Sequence, residues 1–191
     1  MKKNYSVTVG YGSVKKVKIS KMAPLVFIGG PCAIESRDHA LKMADKIQKV
    51  CNKLKISWIY KSCYNKDCRS SQKSFNGLGI NEGLKILSEI RKEFGVPVVS
   101  DFSDPAWAKA TGDVCDLVQI PAYLCRQTSI LKAAAETGRP VLLKKGQFMS
   151  PWNMKNSVKK LEEFGCKKII LTDRGTFMGY NMLVNDMRCF P

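Results

Sequence analysis

Basic side chains follow several short apolar runs of this sequence, a placement that suits the binding of anions. Six basic residues have this placement: Lys61, Lys66, Arg69, Arg126, Lys144 and Arg174. Lysine attracts a phosphate or carboxylate as a point charge, and arginine holds it through a bidentate fork. The acids in comparable positions, Asp101 and Asp173, are too few to neutralise the six cations. The pattern therefore predicts a site for small phosphorylated molecules.

One loop of this set combines a cation with hydroxyl groups. Arg69, Ser70 and Ser71 are consecutive and together form a suitable phosphate clamp. The glycines of residues 77–83 do not follow a strand and a tight turn, so they are interpreted as a loop entering a helix rather than a nucleotide-binding loop.

Cysteine and histidine offer little further chemistry. Cys32 follows a Gly-Gly-Pro segment, and three interpretations are open: a metal thiolate, a nucleophile or a buried thiol, of which the residue alone favours the last. His39 is the only histidine, so neither a triad that uses histidine nor a two-histidine metal site can form from this chain. The eight cysteines contain no C-x-x-C pair, which indicates reduced thiols.

Hydrophobic periodicity predicts the elements that position these residues. An alternating pattern over residues 5–20 indicates a hairpin, and six buried strands then alternate with five helices. Strands are predicted at 24–30, 56–61, 96–100, 117–120, 141–144 and 168–172, and helices at 38–55, 81–94, 105–111, 128–136 and 153–164. Most helices are predicted to end on a glycine that tolerates the left-handed C-cap conformation: Gly95, Gly112, Gly138 and Gly165.

Alternating strands and helices predict one α/β domain over residues 1–191 with a parallel sheet. Polar residues follow every strand, which favours a TIM (β/α)8 barrel, where all these loops converge, over a doubly wound sheet. A typical barrel has eight strands and about 250 residues, and this sequence supplies six strands. We therefore expect an incomplete barrel.

The net charge of +16 admits nucleic acid, a membrane surface or acidic substrates as partners. Most basic residues are lysines on predicted helix surfaces, and no aromatic stacking pattern accompanies them, so a solvated surface is favoured and nucleic acid is not expected. Apolar runs are far shorter than the roughly 20 residues of a spanning helix, and no secretory signal is seen at the N-terminus. A cytoplasmic location is expected.

Several motifs, in order along the chain, carry a resemblance to a known family. They are GPCAIES at 30–36, KSCYNKDCRSS at 61–71, QIPAYLCRQT at 119–128, KKGQF at 144–148, DRG at 173–175 and GYN at 179–181. The sequence resembles 3-deoxy-D-manno-octulosonate 8-phosphate synthases from the hairpin to residue 191. That family is similar to the 3-deoxyheptulosonate synthases of aromatic biosynthesis, but the Arg-Ser-Ser and Gln-Ile-Pro-Ala strings favour the octulosonate branch.

The resemblance implies a homotetrameric TIM barrel whose hairpin, residues 5–20, closes the barrel bottom. It implies a transferase that condenses phosphoenolpyruvate with D-arabinose 5-phosphate and releases phosphate, in the biosynthesis of the lipopolysaccharide sugar KDO. Lys61, Asp101 and Lys144 would be catalytic. Substrate binding is implied for Lys66, Arg69, Ser70, Gln119, Gln147 and Arg174, and for Arg126, which would reach the site of a neighbouring subunit. Cys32 would ligate a divalent metal.

The sequence departs from the family pattern at four places. Cys68 replaces a substrate-binding asparagine, Asp67 adds an anion beside it, and Ser103 and Asp104 replace a His-Glu pair. The family's remaining metal ligands would lie beyond residue 191, and one thiolate is not a metal site, because a catalytic metal normally takes about three protein ligands. We therefore expect a truncated synthase with little activity alone. The alternative is an inactive or split-gene remnant that needs a missing C-terminal part.

Overall fold

A computed structural model describes residues 5–190 and contains a curved, six-stranded parallel sheet. The six strands lie side by side in chain order. Their bounds are β3 Val26–Gly29, β4 Ser57–Lys61, β5 Val98–Asp101, β6 Leu117–Ile120, β7 Val141–Lys144 and β8 Ile169–Thr172. Within the described chain, β3 and β8 are the edge strands. The prediction of an incomplete TIM barrel with an N-terminal hairpin is confirmed.

Two antiparallel ribbons accompany the sheet. Strands β1 (Ser6–Val9) and β2 (Val17–Ser20) form the predicted hairpin, with Val9 opposite Val17. A second ribbon pairs β9 (Thr176–Phe177) with β10 (Leu183–Val184) after the last sheet strand. The sequence patterns did not predict this second ribbon.

Helices cover the outer face of the sheet. They are α1 Arg37–Lys53, α2 Ile80–Phe94, α3 Ala108–Val114, α4 Thr128–Glu136 and α5 Met154–Glu163. The first helix begins where the Ser36 hydroxyl accepts a hydrogen bond from the His39 backbone N–H at 3.1 Å. None of the described helices is long and apolar enough to cross a membrane.

Glycine ends only some of the helices as predicted. Gly95, Gly138 and Gly165 follow helices with φ of 62°, 68° and 89°, which is the left-handed conformation that favours glycine. Gly112 was predicted to end a helix, and this is wrong, because it lies inside α3. A Cβ at Gly112 would come within 2.7 Å of the Thr137 side chain. Glycine therefore lets α3 pack closely against the residue that follows α4.

The hairpin packs on the inner face of the sheet. Its buried residues Val7, Val9 and Val17 form one cluster with the inward side chains of four strands, Ile59, Val99, Leu117 and Leu142. Alternate residues of a strand point to the same face, so the side chains two positions later, at the carboxyl ends of these strands, also face inward. Those positions are polar: Lys61, Asp101, Gln119 and Lys144.

A cluster of charged and aromatic side chains fixes the hairpin turn at the amino end of the sheet. We call Tyr11, Arg91, Asp116 and Arg139 the hairpin anchor. The buried Asp116 carboxylate accepts two hydrogen bonds from Arg91, at 2.9 and 3.0 Å, and one each from the Tyr11 and Val98 backbone N–H groups at 3.0 Å. Both guanidinium groups face the Tyr11 ring, 4.1 Å (Arg91) and 3.5 Å (Arg139) from its centroid.

Candidate functional site

The carboxyl edge of the sheet brings together predicted site residues from separate segments of the sequence. Parallel pairing places Asp101 opposite Gln119 and Lys144 opposite Thr172. With Lys61 at the end of β4 and Lys66 in the following loop, these residues lie around one mouth. We call Lys61, Lys66, Asp101, Gln119 and Lys144 the carboxyl-edge cluster.

Two lysines of this cluster meet at a thiol. The Lys61 ammonium donates to Cys63 Sγ at 3.4 Å, and the Lys66 ammonium donates to the same sulfur at 2.9 Å. Burial raises the pKa of the Cys63 thiol, and the Asp101 charge raises it further. Burial lowers the pKa of Lys66, but Cys63 and Asp101 outweigh this effect, so the net shift is upward. Neither lysine forms an ion pair with a carboxylate among residues 5–190.

The environment of Lys144 lowers its pKa, in contrast to that of Lys66. Burial lowers the pKa of its ammonium, and the positive charges of Lys61, Arg174 and Lys66 lower it further, although Asp101 opposes them. The described residues provide it with no ion-pair partner. An anion placed among these cations would relieve this repulsion.

Asp101 and Gln119 are joined across neighbouring strands. Gln119 is 2% exposed, and its side-chain nitrogen donates to Asp101 Oδ2 at 3.3 Å. The other carboxylate oxygen, Oδ1, is buried and has no hydrogen-bond partner within the described part of the chain. Because a buried acceptor without a partner is unfavourable, Oδ1 is suited to a ligand hydroxyl or amine.

The loop after β4 carries the predicted phosphate clamp. Arg69 and Ser70 are exposed there, and Arg69 lines an open cleft together with Cys32. A second, smaller cleft lies beside Lys66 and Asp101. At its rim the Asp67 carboxylate accepts hydrogen bonds from the Asn65 side chain at 2.7 Å and from the Ser103 hydroxyl. Two of the departures noted in the sequence, Asp67 and Ser103, thus bond to each other.

The remaining predicted residues are more dispersed. Gln147 is half-buried, and its carbonyl accepts from the Phe177 N–H at 3.0 Å, which joins the loop after β7 to β9. Arg174 is exposed after β8, close enough to affect Lys144. Arg126 is exposed before α4, and its carbonyl accepts from Lys160 at 3.1 Å. Its side chain makes no hydrogen bond or ion pair with the described chain.

Cys32 does not form a metal site with the residues described. It is exposed in the loop after β3, and residues 5–190 contain no group of three His, Cys, Asp or Glu side chains arranged to hold a metal ion. A catalytic metal normally requires about three protein ligands. The donor set of the described residues therefore does not fit a catalytic metal ion.

Two residues that organise this edge were not among the predicted site residues. Cys63 was not selected as a site residue, yet it contacts two predicted site lysines. Lys145, next to Lys144, is 4% exposed and holds two loops together, because its ammonium lies 2.7 Å from the Gly175 carbonyl and 3.4 Å from the Asp173 carboxylate. The position of Lys145 directly after a predicted strand could have marked it as a site residue, but the sequence alone did not distinguish its role from that of Lys144.

Comparison with known proteins agrees with this geometry. The family described as the DAHP synthetase I family matches residues 4–191. The chain belongs to this family. Proteins named 2-dehydro-3-deoxyphosphooctonate aldolase are 51% identical over 175 residues in Rickettsia rickettsii and 50% identical over 178 residues in Protochlamydia amoebophila. These alignments cover 92% and 93% of this chain.

A third protein of that name, from a Cyanothece species, is 50% identical over 168 residues and 88% of this chain. The alignments cover 64%, 65% and 62% of the three relatives, so the chain spans less than two thirds of their length. The resemblance stated from the motifs is confirmed.

Proposed function

We propose that this chain is a 3-deoxy-D-manno-octulosonate 8-phosphate synthase, a transferase that condenses phosphoenolpyruvate with D-arabinose 5-phosphate. The observation that carries the proposal is the carboxyl-edge cluster, whose lysines lack carboxylate ion-pair partners in the described chain. The names of the relatives support it, because they specify a phosphorylated eight-carbon 3-deoxy sugar acid. A mouth with unneutralised cations suits two phosphorylated substrates.

Phosphoenolpyruvate is assigned to Lys61, Lys144, Gln147 and Arg174. It carries a phosphate and a carboxylate, and cations from three different strand ends can divide these two groups between them. Burial, and after it the repulsion by Lys61, lowers the pKa of Lys144, and a bound anion would counteract this repulsion, which supports the assignment.

The aldose phosphate is assigned to the other side of the mouth. Lys66, Arg69 and Ser70 would hold its phosphate, and the free Oδ1 of Asp101 would accept from a sugar hydroxyl while Gln119 fixes the carboxylate. Arg126 is exposed and is assigned to the site of a neighbouring subunit in a homotetramer.

The condensation consumes one water molecule in addition to the two substrates and needs no net proton. The methylene carbon of phosphoenolpyruvate bonds to the aldehyde carbon, and the aldehyde oxygen takes a proton. Water adds its oxygen to the former enol carbon and releases one proton in return. The bond between this carbon and the phosphate-bearing oxygen then breaks, the carbon becomes a ketone, and phosphate leaves with the second proton of the water. Lys144 is the proposed proton donor, because its ammonium group carries a proton and lies at the same mouth as Lys61 and Asp101. Lys61 would offer its ammonium to the phosphate.

Three further assignments belong to this proposal. The hairpin, whose valines pack on the inner face of the sheet, would close the bottom of the same single domain. The protein would act in the cytoplasm in lipopolysaccharide biosynthesis, with no nucleic-acid or membrane partner. Cys32 would be the thiolate ligand of a divalent metal wherever further donors are supplied.

A phosphate-release assay tests the proposal. The purified chain is incubated with phosphoenolpyruvate, with and without arabinose 5-phosphate, and free phosphate is measured. Release that requires both substrates supports the proposal, and Lys144→Met should abolish it while Lys159→Met, an exposed lysine of α5, should leave it unchanged. Absence of release under all conditions, together with no binding of phosphoenolpyruvate, would contradict it.

A further inference from the structure

Cys63 occupies a rigid position at the base of the candidate site. Its side chain is 0% exposed. Its backbone N–H donates to the Cys32 carbonyl at 3.4 Å, and its carbonyl accepts from the Ile34 N–H at 3.0 Å. These two bonds join the segment after β3 to the segment after β4, so the sulfur has little freedom to move.

The sulfur is the shared acceptor of two cations. Lys61 and Lys66 approach it at 3.4 and 2.9 Å from different positions, one on a strand and one in a loop. Two ammonium groups repel one another in a partly buried site, and neither has a carboxylate partner in the described chain. The sulfur therefore accepts a hydrogen bond from both ammonium groups, at a position where a carboxylate would be the usual partner.

A thiol and a carboxylate would have different consequences at this position. A carboxylate would form ion pairs with the lysines and cancel much of the positive field that an anionic ligand requires. A buried thiol is uncharged, so it can accept weak hydrogen bonds without neutralising its partners. The arrangement fixes the direction of the ammonium groups and leaves their charge available.

We propose that Cys63 is a positioning residue that holds Lys61 and Lys66 in place for an anionic ligand while leaving both charges unneutralised. The identity of that ligand as phosphoenolpyruvate rests on the proposed function. The positioning itself does not, because the contacts are present between the described side chains without a ligand.

Three variants test this role. Cys63→Val has a similar volume and no acceptor, Cys63→Ser restores an acceptor, and Cys51→Val changes another buried thiol, which lies in α1 away from the mouth. Thermal unfolding shows that each variant is folded. Calorimetry with phosphoenolpyruvate should give about tenfold weaker binding for Cys63→Val, recovery to within about threefold for Cys63→Ser, and no change for Cys51→Val.

A second measurement needs no ligand. The chain is labelled with a limiting amount of acetic anhydride, and mass spectrometry compares acetylation of Lys61 and Lys66 with that of Lys159 in the same molecule. Because the hydrogen bond from Lys66 to Cys63 Sγ holds the ammonium group in its protonated form, Cys63→Val should increase its labelling about threefold to tenfold, and Cys63→Ser, which restores an acceptor, should not.

The two measurements separate the inference from the proposed function. If the parent chain does not bind phosphoenolpyruvate but the labelling changes as expected, the function is contradicted and the positioning role stands. If the parent chain binds phosphoenolpyruvate, and Cys63→Val alters neither affinity nor labelling, the positioning role is overturned. The same conclusion follows if Cys63→Ser behaves like Cys63→Val in both measurements.

Discussion

The two ends of the sheet differ in whether their buried charged side chains have partners of opposite charge. At the amino end, the hairpin anchor surrounds the buried Asp116 with Arg91 and two backbone N–H groups. At the carboxyl edge, Lys61 and Lys66 share a thiol, and Lys144 has no ion-pair partner among the described residues. The buried carboxylate that holds the hairpin is neutralised by Arg91, whereas the charges proposed to hold a ligand have no carboxylate partner among the described residues. Such local conflicts with stability are expected at functional sites.

The largest effect is expected at the hairpin anchor. Arg91→Met would leave the Asp116 carboxylate buried without its charged partner, and we expect the free energy of unfolding to fall by about 3 kcal/mol. Urea denaturation measures this loss. As a control, Lys109→Met removes an exposed ion pair with Asp113 and should change stability by less than about 1 kcal/mol. Equal losses in both variants would remove the distinction between the two kinds of ion pair.

The aromatic ring of Tyr11 should have the next largest effect. Tyr11→Leu removes the ring that both guanidinium groups face, together with the hydroxyl that donates to the Asp113 carbonyl at 2.8 Å. We expect a loss of about 1–2 kcal/mol by urea denaturation. Tyr11→Phe keeps the ring and should lose less. A loss in Tyr11→Phe as large as that in Tyr11→Leu would show that the hydroxyl, not the ring, fixes the hairpin.

At the carboxyl edge, replacement of a cationic side chain by methionine should change the free energy of unfolding little. Lys144→Met removes a cation that is repelled by Lys61 and Arg174, so we expect stability to be unchanged within about 0.5 kcal/mol, or raised. Urea denaturation beside Arg91→Met provides the comparison. A loss as large as that of Arg91→Met would mean that Lys144 serves the fold, contrary to its proposed role.

The smallest effect is a shift in pH dependence. Since the pKa of Lys144 is lowered, its proton is lost at a pH below the usual lysine value of about 10.4, and binding of an anion should weaken as pH rises through that range. Arginine stays protonated, so Lys144→Arg should extend binding of inorganic phosphate to higher pH. Calorimetry across a pH series measures both profiles. Superimposable profiles would show that Lys144 does not set the alkaline limit.

Much of the architecture was predictable because each strand and helix has a recognisable local sequence pattern. The apolar runs ending at Lys61 and Lys144 have the length and composition of buried strands, and parallel pairing then brings their ends together. Gly112 shows the limit: a glycine near the end of a helical pattern suggests a cap, but its role depends on Thr137, which only the fold brings near.

The same limit applies within the site. Cationic residues at strand ends are visible in the sequence, but the use of Cys63 as their common acceptor depends on side-chain geometry across a strand and a loop. Lys144 and Lys145 are adjacent and chemically identical, yet strand alternation directs one toward the mouth and the other into a buried contact with Asp173. Spacing alone does not determine which of the two faces the mouth.

Calorimetry with phosphoenolpyruvate tests most directly whether the unneutralised cations form a ligand site. The parent chain is compared with a Lys61→Met, Lys144→Met double variant and with Lys159→Met, whose lysine is exposed on α5 and paired with Glu163. We expect saturable binding by the parent chain and by Lys159→Met, and at least a tenfold loss of affinity in the double variant with its fold intact. Equal affinity in all three proteins would contradict the account.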